Sequence, residues 1–231
     1  MGLHNISRLF EYFADYPRNS SVAIDLVHDV LISGVILARK PKRVLELGVG
    51  SGFLSGMIIK ALDVNGEGSL TCVDNLHDWK GAKPLQIQKL EKHERVTVVL
   101  KDEYAFLKEC PAGRYDLIIS DGDHAHSFFF LKELFNAAQK GAILFFHDTN
   151  NSMFPHLRRI EKIVKASGLS CYHFKEKSLP EERTDRGLLF VVKDRDITVN
   201  IPLKDRMRWK WRMLRGKRRR ILAALSGKGK K

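Results

Sequence analysis

Cysteine is scarce in this chain. Cys72, Cys110 and Cys171 are the only three in 231 residues, widely spaced and without a C-x-x-C pair. That number and spacing argue against a disulfide framework or a thiolate metal site and suit a reduced, cytoplasmic protein. Long apolar runs are missing as well: none approaches the roughly 20 residues that a membrane-crossing helix needs. The first residues show no signal-peptide pattern. Met1-Gly2 opens like a myristoylation signal, but Ile6 stands where that signal requires Ser or Thr.

Negative charge is scarce at one end only. The formal net charge is +13, yet residues 1–193 hold 26 Lys or Arg against 24 Asp or Glu, whereas residues 194–231 hold 14 against 3. The first stretch is nearly neutral and long enough for one α/β domain with a large core. The second is a basic tail. The expected division is therefore a domain over 1–193, with 1–40 supplying helices that flank a pocket, and a tail over 194–231.

What is present begins at residues 44–52, Val-Leu-Glu-Leu-Gly-Val-Gly-Ser-Gly. A β-rich run carries an acid, Glu46, and then glycines at alternate positions, Gly48, Gly50 and Gly52. Bare backbone at such a turn lets a ligand lie close to the main chain. The dinucleotide fingerprint G-x-G-x-x-G does not fit, because Phe53 occupies the place of its third glycine.

Further strands are expected at 69–73, 96–100, 115–120 and 142–146. They lead into Asp74, into Asp102 and Glu103, into Asp121-Gly122-Asp123-His124, and into His147-Asp148-Thr149. Alternation with helical stretches predicts a doubly wound, mostly parallel Rossmann-like sheet, with acids ranged along its carboxyl edge, where ligands bind. Two more β-rich runs, 169–174 and 187–192, complete seven strands as an antiparallel pair. Any one of these acids also reads as a helix N-cap or turn residue. Upstream, Ser20 or Ser21 suits the cap of a helix burying Ile24, Val27, Val30, Leu31 and Ile32, and residues 3–16 suit a shorter amphipathic helix. A last helix is expected over 154–167.

The pattern E-x-G-x-G-x-G resembles motif I of the class I S-adenosylmethionine (SAM) methyltransferases. With D-G-D-H and H-D-T it resembles the small O-methyltransferases of the methyltransferase 24 type, and it is similar to macrocin-type sugar O-methyltransferases, over roughly residues 20–193. The resemblance implies that Glu46, Gly48, Gly50, Gly52, Asp74, Asp102 and Asp121 bind SAM, with Asp74 on the ribose hydroxyls and Asp102 on the adenine. It implies Asp121 and Asp148 as ligands of a divalent metal, Mg²⁺ or Mn²⁺. His147 replaces the first acid of the family's pair, and it reads either as a third ligand favouring softer ions or as an outer-layer residue. Asp123 inherits the role of base. His124, with an unperturbed pKa of about 6.5, is the chemical alternative, or else caps the next helix. His126 reads as a pocket or surface residue.

These expectations describe a SAM-dependent O-methyltransferase acting on a hydroxyl of a sugar, glycoside or other small molecule. An RNA-directed methyltransferase and a non-catalytic docking protein on the same fold are the alternatives. The lack of an N-P-P-Y-type run after the fourth strand speaks against the modification of base nitrogens.

In the tail, Met207, Trp211, Leu214, Ile221 and Leu225 fall near one helix face among Lys and Arg. Residues 201–225 therefore suit an anionic membrane surface, which would make the protein peripheral on the inner face of a membrane. They also suit a nucleic-acid arm, a solvated tail, or a contact in a homo-oligomer.

Overall fold

Strands buried on both faces read as nearly unbroken apolar runs. The segments Val-Leu-Glu-Leu, Leu-Ile-Ile and Ile-Leu-Phe-Phe of this chain have that character. A computed structural model describes residues 26–77, 85–124, 126–175, 186–197, 199, 201–207, 211 and 214, with only the backbone of Leu26 and Gln86. The expected helix over 3–16, its neighbour's cap at Ser20 or Ser21, and the tail beyond 214 lie outside the described residues.

Helix α1 (Leu26–Arg39) precedes β1 (Arg43–Leu47), α2 (Phe53–Asn65), β2 (Ser69–Asp74), α3 (Leu85–Leu90) and β3 (Val96–Leu100). There follow α4 (Glu103–Glu109), β4 (Tyr115–Ser120), a 3₁₀ turn (Ser127–Phe130), α5 (Leu131–Ala137) and β5 (Ala138–His147). The series ends with α6 (Arg158–Ala166), β6 (Ser170–Phe174) and β7 (Leu188–Val192). The seven strands form one sheet in the order β3-β2-β1-β4-β5-β7-β6. β1 is parallel to β2 and β4, β2 to β3 and β4 to β5, and β7 runs antiparallel to both β5 and β6. The order reverses between β1 and β4, the topological switch point at which open α/β sheets bind ligands.

Alternate strand residues feed two cores. Leu45, Leu47, Ile118, Leu144 and Phe146 pack with α5 and α6 on one face. Val44, Ile119 and Phe145 pack with Ile32 and Ile36 of α1 and Met57 and Ile58 of α2 on the other.

Three boundaries depart from expectation. β5 starts at Ala138, not 142, because Tyr115 pairs with Ala138 and Leu117 with Ile143, so a bulge absorbs the additional residues before Ile143. α6 starts at Arg158, not 154, since Pro155 disfavours helical geometry at Phe154. Val27 and Val30 of α1, expected inside, are 52% and 42% exposed, and the buried stripe is His28, Asp29, Ile32, Ser33 and Ile36. Polar residues on the inward face hid that stripe from a purely apolar reading. The expected tail also begins inside the body: Val199 and Ile201 are buried in the core against α6.

Candidate active site

The site is built where β1 and β4 end side by side. Leu47 and Ser120 are register partners, and the Asp121 amide donates to the Leu47 carbonyl at 2.9 Å. The glycine turn and the D-G-D turn then touch. A Cβ on Gly48 would lie 2.3 Å from the Gly122 Cα, and a Cβ on Gly122 would lie 1.6 Å from Glu103 Oε1. Both positions therefore exclude any side chain, and Gly48 in addition holds φ 83°. Gly50 and Gly52 also have positive φ, and Gly52 leads directly into α2 with no side-chain cap.

Asp74, at the end of β2, fastens this turn. Its Oδ2 accepts from the amides of Val49 at 2.9 Å and Gly50 at 3.4 Å, and its Oδ1 accepts from Leu76 at 2.6 Å. A carboxylate offers about four acceptor positions, so capacity remains for one hydroxyl donor.

Two expected cofactor contacts change character. Glu46 has no exposed surface; its Oε2 accepts from Ser55 Oγ at 2.6 Å and lies 3.3 Å from Cys72 Sγ. It braces α2 and β2 from beneath the turn and does not present a free carboxylate beside it. Asp102 caps α4, accepting from the Ala105 amide at 2.9 Å. The acid turned inward is its neighbour Glu103, only 4% exposed, which accepts from the Asp123 amide at 2.9 Å. Burial pushes both Glu46 and Glu103 up to about 8. Each also retains a buried oxygen without a hydrogen-bond partner, Glu46 Oε1 and Glu103 Oε2.

At the ends of β4 and β5 a second group assembles. One ligand atom each from Asp121, His124 and Asp148 lies within 4.8 Å of the others, the one such group found among the described residues. His124 Nε2 is 3.1 Å from Asp148 Oδ2 and 3.8 Å from Asp121 Oδ1. Asp148 is buried and has φ 57°, a left-handed conformation that Asp tolerates better than most residues. Asn151 Nδ2 donates to Asp148 Oδ1 at 3.3 Å.

His147, read in the sequence as either a third ligand or an outer-layer residue, does not join this group. Its side chain is fully enclosed, with Nδ1 2.7 Å from Asp121 Oδ1 and Nε2 3.2 Å from His28 Nδ1 of α1. It stands behind Asp121 because its ring points back from the strand toward α1 while Asp148, one residue on, faces the turn. Burial pushes the Asp121 carboxyl up, but His147, His124 and Arg186 outweigh it and leave Asp121 below its ordinary value.

The two expected bases separate. His124 lies in the acidic group, its ring 4.9 Å from that of Phe154. Asp123 pairs instead with His126, Oδ2 to Nδ1 at 2.5 Å. Sequence reading missed His28 as part of the site, and it gave Glu103 no role of its own. His28 shares an i, i+4 stripe with Ile32 and Ile36, which is the one signal that could have revealed it.

Residues 45–149 match a family model described as a methyltransferase domain, of the methyltransferase 24 type. Together, this match and the sheet order mark a methyltransferase domain within the chain. No curated protein matches the sequence. Among solved structures it is similar to cofactor-bound Rv0187 from MTB, with a TM-score of 0.62 and 16% identity over 84% of this chain and 92% of that one. It is also similar to SAM-bound TomG of Streptomyces achromogenes, an O-methyltransferase of tomaymycin synthesis, at 0.60 and 14% over 84% and 91%. The SAH-bound methyltransferase PaMTH1 of Podospora anserina gives 0.61 and 14% over 85% and 89%.

Proposed function

We propose that this protein transfers the methyl group of SAM to a hydroxyl of a sugar, glycoside or other small molecule, assisted by a divalent ion at Asp121, His124 and Asp148. The observation that carries this reading is the convergence of those three side chains at the carboxyl edge, beside the glycine turn. TomG, a similar structure, is an O-methyltransferase, which supports the class of acceptor.

The residues present fit both groups. The orphaned oxygens of Glu46 and Glu103 leave hydrogen-bonding capacity unspent around the glycine turn. Gly48, Gly50, Gly52 and Asp74 would hold SAM, with the remaining Asp74 acceptor position on the ribose. Two carboxylates and an imidazole suit Mn²⁺ better than Mg²⁺, which prefers oxygen alone. Bound SAM supplies an electrophilic methyl, and a divalent ion there lowers the pKa of an acceptor hydroxyl. The chain's own task is to orient that hydroxyl and take its proton. Asp123 is the base in this reading, with the partly exposed His126 beside it to carry the proton outward; such a base contributes on the order of 10²–10⁴-fold.

Calorimetric titration of the full chain with S-adenosylhomocysteine, with and without Mn²⁺, tests the proposal. Micromolar binding that weakens at least about tenfold in Asp74→Ala is expected, as the loss of one charge-assisted ribose hydrogen bond would give. Mn²⁺ binding should be lost in His124→Ala and kept in Asp123→Asn. No homocysteine-analogue binding under any metal condition would overturn the enzyme reading. Unchanged Mn²⁺ affinity in His124→Ala would overturn the ligand set alone.

A further inference from the structure

One feature of the fold lies apart from this site. Residues 203–207 are helical, and so are Trp211 and Leu214. Leu203, Met207, Trp211 and Leu214 recur at steps of four, four and three, the spacing of a single helix face. They are 72%, 53%, 63% and 61% exposed, an unusual state for four large apolar side chains in a row.

The opposite side of the same turn is fixed to the body. Asp205 is buried and accepts from both terminal nitrogens of Arg159 on α6, at 2.7 and 2.6 Å. Val199 and Ile201 just before it are in the core. The helix start is therefore clamped, and the clamp sets which face looks outward.

The charge of this stretch of sequence is almost all of one sign. Residues 204–220 hold ten Lys or Arg and a single acid, Asp205, whose charge Arg159 already matches. We infer that this segment is a docking surface for an anionic lipid bilayer, lying in the plane of the interface with Leu203, Met207, Trp211 and Leu214 inserted. Basic side chains flanking the apolar face would reach the headgroups. Trp favours that boundary because one end of its ring system is apolar and the other donates a hydrogen bond. No helix among the described residues is long and apolar enough to cross a membrane, so the contact is peripheral. A nucleic-acid arm needs the charge but gives the outward apolar row nothing to bury. This inference stands independently of the proposed reaction.

The test is flotation of the full chain with vesicles of equimolar phosphatidylcholine and phosphatidylglycerol, against vesicles of phosphatidylcholine alone. Binding to the anionic vesicles should exceed that to neutral ones by at least about tenfold. The triple variant Met207→Glu, Trp211→Glu, Leu214→Glu should lose it by at least about tenfold. Its melting temperature and S-adenosylhomocysteine affinity should match the parent, which shows that the body is intact. Absence of anionic-vesicle binding, or equal binding by parent and variant, would overturn the inference. So would tight binding of single-stranded RNA that survives the triple substitution, which would assign the charge to nucleic acid.

Discussion

Glu46 and Glu103 show how much the glycine turn asks of single residues. Both are carboxyls with almost no exposed surface, and burial raises each to about 8 from an ordinary 4.5. The folded protein thus keeps protons that the unfolded chain releases above about pH 4.5. Their contribution to stability is complete below that pH and is lost as pH rises through about 8. Denaturant midpoints should therefore fall from pH 5 to pH 8. Glu103→Gln, which keeps the acceptor for the Asp123 amide, should flatten that fall by about 1 kcal/mol or more across the window. Urea titrations at several pH values would show it, and an unchanged slope in Glu103→Gln would mean that Glu103 ionises normally. The closeness of Gly122 to Glu103 explains why this pair was hard to read in sequence. An acid next to Asp102 at a strand tip looks like a second cap, and only the packing of Gly122 on Oε1 shows that it is enclosed.

Among elements, α1 gains a role that its composition concealed. His28 is 3.2 Å from His147, and His147 is 2.7 Å from Asp121, so a helix on one face of the sheet supports a proposed metal ligand on its edge. Outer-layer hydrogen bonds of this kind fix the ring orientation of a histidine, and through it the group it touches; their loss typically costs 10–100-fold in metal affinity. His28→Ala should therefore weaken Mn²⁺ binding by roughly tenfold while leaving S-adenosylhomocysteine affinity unchanged. Calorimetry on the same sample can read both. An unaltered Mn²⁺ affinity would reduce the His28 contact to packing. The strands around this site were legible because five successive β-rich runs each carry an acid at or just past their end, and the central strands β1, β4 and β5 are mostly apolar and buried where they flank the site. Motif spacing also placed Asp121 and Asp148 at neighbouring strand tips. The direction of each ring was not legible. His147 and His124 are both polar residues one step from an acid, and only the course of β5 and the left-handed turn at Asp148 decide which one faces the other carboxylates. The β5 start was missed for a related reason. A bulge moves the register without any change in apolar pattern, so residues 138–141 fell outside the strand expected at 142–146.

For the whole molecule, the uneven charge gives the proposed cofactor site and the proposed lipid-docking surface different physics. Residues 1–193 are nearly neutral, and the groups around the glycine turn and the Asp121 cluster are buried or half-buried. The 14 basic residues against 3 acidic ones in 194–231 lie on a segment whose apolar side chains Leu203, Met207, Trp211 and Leu214 face solvent. Salt acts differently on the two. Raising ionic strength from about 0.1 M to 1 M shortens the Debye length from about 10 Å to about 3 Å, which removes most attraction between exposed charges and a surface but little of it between buried partners. Vesicle binding should then fall by at least about tenfold over this range, while S-adenosylhomocysteine affinity changes by less than about threefold. Parallel flotation and calorimetry at the two salt concentrations would measure both. If the two quantities fell together, the basic segment would have to reach the cofactor region itself, and the clamp of Asp205 on Arg159 would be holding it there.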